Sequence, residues 1–326
     1  MPERQSYPQN KAAPVLHFKR AICEKNEEIM KTKRRLFLGW ILAILFVPLL
    51  AAALARAEYV QLNIDLTIHY EKSGSGDITI IFIPGWTMST DVFVHQLKHF
   101  EGSTKFTALT YDPRGQGRSS KTVEGHTYQQ HGRDLATFIE KLGLQNIILA
   151  GWSYGVQEAL AYVNQFGSEQ LKGMVIIDTG PDVTGASHDE WVWYLNDDSD
   201  GYSRWFTEGI IEDRQNTITE FAKWMLENPS PVNISWVSNI SNMTSGTVAS
   251  VLNATGFYLD YSEDLKKLEG KIPLLYITRD ESKKTADRWI KANTPSAQAE
   301  YLRKHLMFWE RPKEFNQILD KYLSQF

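Results

Sequence analysis

The stretch "LAGWSYGVQEAL" (149 to 160) constrains this chain more than any other. The run that leads into it, "NIILA", is continuous and apolar, as in a strand buried on both faces. The run that leaves it, "VQEALAYVNQF", spaces Val156, Ala159, Leu160 and Val163 at helical intervals. Ser153 therefore stands where a buried strand turns sharply into a helix. Such a turn needs small neighbours, and Gly151 and Gly155 leave room for the serine and for close helix–strand packing.

The flanking elements repeat this alternation. Residues 60 to 68, "VQLNIDLTI", alternate apolar and polar and predict one half-buried strand in an antiparallel start. "SGSGD" is a turn, and "ITIIFI" (78 to 83) is an unbroken apolar run, so a doubly buried strand. "DVFVHQLKHF" (91 to 100) reads as a short helix and "KFTALTYD" as a strand. In "RDLATFIEKLGL" a stripe of Leu135, Phe138, Ile139 and Leu142 marks a helix that Gly143 can cap. "KGMVIID", "KIPLLYI" (271 to 277) and "AQAEYL" (297 to 302) supply further strands, and "PKEFNQILDKYL" a final amphipathic helix. Strands alternating with helices predict an α/β fold, a mostly parallel twisted sheet with helices on both faces. One segment, 181 to 262, breaks the rhythm and predicts a helical cap or lid. It holds five of the ten tryptophans, Trp191, Trp193, Trp205, Trp224 and Trp236. The core is then 58 to 180 with 263 to 326.

Residues 1 to 57 read differently. "LFLGWILAILFVPLLAAALA" (36 to 55) is twenty uncharged residues preceded by "KTKRR", long enough to span a bilayer. Ala55-Arg56-Ala57 is a small-x-small cleavage pattern, and Met30 opens what looks like a complete bacterial signal peptide. Residues 1 to 29 then read as an extension ahead of it. Cleavage after Ala57 would export the rest as a periplasmic or secreted protein. The alternative is an uncleaved single-pass membrane anchor with the catalytic domain outside. Residues 58 to 326 carry 25 basic and 35 acidic residues, an acidic balance that argues against nucleic acid as a partner. The single cysteine, Cys23, precedes the hydrophobic segment, so the exported part would have no disulfide and no thiol nucleophile.

These motifs together resemble the α/β-hydrolase fold superfamily. "GWSYG" fits its nucleophile elbow, and "YDPRGQGRSS" (111 to 120) looks like its D-x-R-G-x-G-x-S segment. "IPGWTMS" (83 to 89) occupies the oxyanion-loop position, and "KHLMFWERPKEFNQIL" resembles the C-terminal signature in which a histidine precedes an acidic-x-Pro-x-x-Phe helix. The likeness runs from about 60 to 325 and is greatest to bacterial esterases, including non-haem haloperoxidases and perhydrolases. It implies Ser153 as nucleophile, His305 as base, and the backbone N–H groups of Trp86 and Tyr154 as oxyanion donors. Pro84-Gly85 stands where the family usually has His-Gly; the donor is a main-chain group, so this does not remove it.

The chemistry agrees with those roles. A serine hydroxyl needs a base to take its proton as it attacks, and the tetrahedral oxyanion needs preorganised donors. His305 follows the last strand, in the Ser…acid…His order of this fold. His69, His95, His99, His126, His131 and His188 fit no motif that needs a base and read as surface or packing residues. The third member is open. The family's usual G-x-x-D pattern, set on "PLLYITRDES", puts its glycine at Arg279 and its aspartate at Ser282. Asp178, ending "MVIID", is the preferred acid; Asp280 is the alternative, with Asp182 and Glu281 behind it. Asp112 and Arg114 read as loop ties. Trp86, Trp152 and cap aromatics would line an apolar acyl pocket. The sequons at Asn233, Asn239, Asn242 and Asn253 read as a polar cap surface.

The expectation is an exported serine esterase acting on a small-molecule acyl substrate, with no cofactor and no metal. Two alternatives stand beside it. One is a proline-type aminopeptidase, whose amine-binding acids the run "NDDSD" (196 to 200) could supply. The other is a slow-turnover ligand-binding or sensor protein on the same scaffold.

Overall fold

The computed structural model describes residues 58–187, 189–196 and 201–326, together with Met30. The expected signal or anchor segment, His188 and residues 197–200 lie outside the described residues. Among the described residues, no helix is long and apolar enough to cross a membrane.

An eight-stranded sheet forms the centre. Its strands are β1 (Glu58–Asn63), β2 (Leu66–Gly74), β3 (Ile78–Ile83), β4 (Phe106–Tyr111), β5 (Ile147–Trp152), β6 (Leu171–Ile177), β9 (Leu274–Arg279) and β10 (Gln298–Leu302). Their spatial order is β1-β2-β4-β3-β5-β6-β9-β10. The pairs β1–β2 and β2–β4 are antiparallel and the rest parallel. All six β5 residues are buried, as a strand covered on both faces requires. This is the α/β architecture the alternation predicts.

The expected single strand over 60 to 68 is corrected: it is a hairpin, turning at Ile64-Asp65. The Asn63 side-chain oxygen accepts from the Asp65 N–H at 3.0 Å and closes the turn. Ile64 is exposed at the tip. A two-residue loop preserves period two across both strands, so the alternation alone does not reveal the break.

Helices cover both faces. In α1 (Val94–His99), entered from a 3₁₀ turn at Thr90–Phe93, Gln96 and Leu97 are buried. In α2 (Tyr128–Leu142) the expected stripe of Leu135, Phe138 and Ile139 is buried; Thr127 caps its start and Gly143, at φ 62°, ends it in the left-handed conformation. The helix after Ser153 is α3 (Tyr154–Phe166), and the C-terminal helix spans Pro312–Leu323 as read.

Between β6 and β9 the chain forms two two-residue strands, β7 (Thr184–Gly185) and β8 (Tyr194–Leu195). Then come α4 (Tyr202–Glu212), α5 (Arg214–Met225), α6 (Pro231–Ser241), α7 (Gly246–Gly256) and α8 (Ser262–Lys266). Hydrogen bonds tie these helices to the loops at the strand ends. Trp86 Nε1 donates to the Ala249 carbonyl at 2.7 Å, and the His305 and Leu306 N–H groups both donate to the Met225 carbonyl at 3.1 Å. The sequons are not all surface. Asn253 is buried, its Nδ2 donating to the Ser203 carbonyl and to Thr207 Oγ1, because α7 turns that face toward α4.

The topology decides where a site can form. Successive connections leave β3 in opposite directions, to β4 on one side and β5 on the other, which opens a crevice at the carboxyl ends of the strands. The register aligns those ends: Ile83 pairs with Gly151, Trp152 with Ile177, Ile177 with Ile277, and Arg279 with Leu302. The residues that follow β3, β5, β6 and β10 therefore emerge along one edge.

Candidate active site

Ser153 follows β5 directly at φ 55°, ψ −130°, a region that non-glycine residues rarely occupy. The close approach of its neighbours explains why glycines flank it. A Cβ at Gly155 would lie 2.3 Å from the Ile83 carbonyl oxygen, and one at Gly151 would lie 2.7 Å from the Gly155 carbonyl oxygen. Gly85 comes equally near: its Cβ would lie 2.9 Å from that of Ser153. The loop after β3 thus passes directly over the serine. Among the described residues, neither the Trp86 nor the Tyr154 amide donates to a protein acceptor. Tyr154 opens α3, where an unpaired amide and the helix dipole favour negative charge.

The structure brings His305 and Asp178 together. His305 Nδ1 lies 2.5 Å from Asp178 Oδ2, and both side chains are buried. That partner fixes the proton on Nδ1 and leaves Nε2 with its lone pair. Asp178 is held in turn: Oδ1 accepts from Thr278 Oγ1 at 3.0 Å and from the Arg279 N–H at 2.9 Å, while Arg279 Nη1 reaches Oδ2 at 3.3 Å. The Trp152 indole N–H donates to the His305 carbonyl at 2.9 Å. Of the five non-glycine residues with positive φ among the described residues, Thr87, Ser153, Asp178 and Lys304 sit in or next to this constellation; the fifth, Asn146, precedes β5 at its other end. Each such conformation costs about 1–3 kcal/mol and persists only where its surroundings over-determine it.

Opposed effects set the charges. Burial pushes the Asp178 carboxyl up; the Arg279 guanidinium and the His305 hydrogen bond outweigh it and hold the group below the usual carboxylate range. Burial pushes the His305 imidazole down and Arg279 adds to that; Asp178 opposes both, and the result stays below the ordinary histidine value. A neutral imidazole beside a buried carboxylate can accept a proton at Nε2, and the carboxylate stabilises the imidazolium that forms.

The rival acids do not reach the imidazole. Asp280 is exposed and opens a 3₁₀ turn, Asp280–Ser282. Asp182 accepts from the Thr184 N–H, and Glu281 lies near Arg279 and Lys304 at the surface. Asp112 ties its loop as expected, accepting from the Thr90 and Arg118 N–H groups and from His69. Arg114 instead forms a two-pronged pair with Asp134 on α2, both bonds 2.7 Å. His131 is buried against Glu158 at 3.0 Å and His69 against Asp112 at 3.0 Å, pairs the chain order did not reveal.

Ser153 and His305 line one cavity of about 860 Å³, with Trp86, Tyr154 and Arg279. Its remaining walls are mostly aromatic: Trp193, Tyr194, Trp205, Phe206, Phe221 and Trp224. The expected place of Trp152 in this lining is corrected. It is buried behind His305, its ring tilted against the imidazole at 5.0 Å, because it ends a central strand. Of the segment's other tryptophans, Trp191 packs on Tyr276 and Trp236 stacks on Trp309. The lining acid Glu220 pairs with Lys223. Arg279 was invisible to motif reading; the only signal was that it stands where the family's pattern has glycine.

The α/β hydrolase fold family model matches residues 78–280, which include Gly85, Ser153, Asp178 and the end of β9. This chain belongs to the α/β-hydrolase family. A non-heme chloroperoxidase of Kitasatospora aureofaciens is 26% identical over 222 residues, 66% of this α/β-hydrolase and 77% of that relative. A bifunctional esterase/perhydrolase of Acinetobacter calcoaceticus is 32% identical over 126 residues, covering 38% and 45% of the two chains. The crystal structure of a bromoperoxidase from Bacillus anthracis superposes with a TM-score of 0.72 over 82% of this α/β-hydrolase and all of that chain. At 24% identity that likeness shows a shared fold.

Proposed function

We propose that this chain is a serine hydrolase that cleaves a carboxylic ester or related small acyl substrate through an acyl-enzyme. The observation that carries this reading is the buried Asp178–His305 pair, 2.5 Å apart, opening on the same aromatic cavity as Ser153. Ser153 Oγ attacks the carbonyl carbon as His305 Nε2 takes its proton. The negative oxygen is held by the N–H groups of Trp86 and Tyr154. His305 then protonates the leaving alcohol, and the C–O bond to it breaks. Water then gives a proton to His305 as its oxygen bonds to the acyl carbon, and His305 returns that proton to Ser153 Oγ as the acyl–Oγ bond breaks and the acid leaves. Residues 181 to 262 act as a cap that supplies the cavity's aromatic walls.

Steady-state hydrolysis of p-nitrophenyl esters of graded acyl length tests this. Sustained turnover is expected. A single burst with no turnover would instead mark a slow-turnover sensor on the same scaffold. The same assay reads the base. His305 must be neutral to act, and burial with the nearby Arg279 charge holds it below the ordinary histidine value of 6.5. The rate should therefore persist as pH falls through 6.5 and be lost only below it, as His305 takes up a proton. A kcat/KM profile whose acid limb lies at or above 6.5 would refute the charge balance around His305.

We also propose export, on the apolar stretch 36 to 55 and Ala55-Arg56-Ala57. Amino-terminal sequencing of the protein from its native host should begin at Glu58. A chain from Met30 that sediments with membranes would indicate the anchored form. Full-length protein in the cytosol would reject both.

A further inference from the structure

Arg279 is more than a tie for the acid. Two neighbouring indoles pack against its guanidinium: Cζ lies 4.6 Å from the Trp193 ring centre and 5.0 Å from that of Trp224, and the two ring centres are 5.7 Å apart, so both lie to one side of it. A planar cation packed against aromatic rings is restrained in orientation and keeps its N–H groups for hydrogen bonding. A guanidinium carries five N–H donors. Nη1 is shared with Asp178 Oδ2 at 3.3 Å. Nε lies 3.8 Å from a carboxylate oxygen of Glu281, beyond hydrogen-bond length, and Glu281 is 63% exposed and also drawn to Lys304. Nη2 donates to no acceptor among the described residues, and it is not shut away from solvent as an orphaned buried atom. Arg279 lines the cavity together with Ser153 and His305.

Among the described residues of the lining, the two other oppositely charged side chains pair with each other. Glu220 and Lys223 neutralise each other at 2.6 Å, and the remaining walls are chiefly aromatic. A guanidinium edge in such surroundings is poorly hydrated and strongly favours a planar anion that can take two parallel N–H bonds. Indole walls next to it favour a flat or extended apolar body.

We propose that Arg279 is a specificity-determining residue that binds an anionic group of the substrate, so that the preferred substrates are carboxylate-bearing esters with an apolar or aromatic body. This rests on the serine-hydrolase reading and names its substrate class. The carboxylate is bound before and throughout the reaction; no bond to it forms or breaks. Trp193 and Trp224, both from the segment above the sheet, position the guanidinium. They also pack on His305, Trp193 edge-on at 5.4 Å and Trp224 tilted at 4.7 Å, so one pair of indoles orients the anion site and the base together.

The test compares two matched ester pairs. Mono-p-nitrophenyl glutarate against p-nitrophenyl valerate places the charge on the acyl side. 4-Acetoxybenzoate against its methyl ester places it on the alcohol side. For the wild-type protein at least one anionic ester should exceed its neutral partner in kcat/KM by about ten- to a hundredfold, the range of a hydrogen bond to a charged group. Arg279→Gln should bring that ratio to within about threefold of unity, mainly through KM, as expected when uniform binding is lost. Arg279→Lys, which keeps the charge without the fork, should fall between. The ratio cancels any loss through Asp178 that both esters share. No anionic preference in either wild-type pair, a result that needs no variant to fold, would overturn the proposal. An equal fall on both members of a pair in Arg279→Gln would overturn it too, leaving Arg279 only as a support for Asp178. If wild-type protein turns over none of the four esters, the serine-hydrolase reading itself fails.

Discussion

Ser153→Ala and His305→Ala should each lower kcat on the best ester by on the order of 10⁴- to 10⁶-fold, and the double variant should lose little more. The effects do not add because the two side chains perform one act. Without Nε2 to take the proton, the Ser153 hydroxyl is a weak nucleophile at neutral pH. Without the hydroxyl, the imidazole has no group to activate. A residual rate over water should survive in all three, since the Trp86 and Tyr154 amides and the aromatic walls are untouched. Ser153→Ala removes one oxygen, so its thermal midpoint should stay close to wild type; His305→Ala also removes a buried ring packed among Trp152, Trp193 and Trp224 and leaves Asp178 without that partner, so its midpoint should fall. Retention of even a tenth of the wild-type kcat in Ser153→Ala would reject the mechanism.

Asp178→Asn should cost on the order of 10⁴-fold in kcat, and Asp280→Asn no more than about threefold. The amide matches the carboxylate in shape but carries no charge and offers a donor to His305 Nδ1. That reverses the favoured tautomer and takes away the counter-charge of the imidazolium. Its oxygen can still accept from Thr278 Oγ1 and the Arg279 N–H, so the backbone around it should hold. With the carboxylate gone, burial and the Arg279 guanidinium push the His305 imidazole down unopposed, so it becomes a weaker base. Asp280 is exposed at the start of a 3₁₀ turn, where exchange to asparagine changes only a solvated charge. Rate assays on both variants, with thermal unfolding as control, decide the matter. The reverse pair of results would move the role to Asp280.

Sequence alone determined the elements that depend on local patterning. The runs at 78 to 83 and 147 to 152 could only be doubly buried strands, and the 3.6-residue stripes of α2 and of the C-terminal helix could only bury one face. The serine between Gly151 and Gly155 was legible because a strand-to-helix turn that tight excludes larger side chains, as the 2.3 Å approach to the Ile83 carbonyl shows. His305 and the oxyanion loop were legible through motif order.

Tertiary structure decided everything that depends on separated segments meeting at the strand ends. Asp178 and Asp280 are both aspartates close behind strands, and nothing local separates them. The register of β6 on β9 brings Asp178 to the Thr278 hydroxyl and the Arg279 amide, while Asp280 turns outward into its 3₁₀ turn. The tryptophans divided in the same way. Trp152 went behind the imidazole and Trp191 and Trp236 into packing, while Trp193 and Trp224 closed on Arg279. An indole's hydrophobicity is the same in each place. What differs is which backbone edge it is carried to, and that follows from sheet order and helix packing over separations of tens to more than a hundred residues.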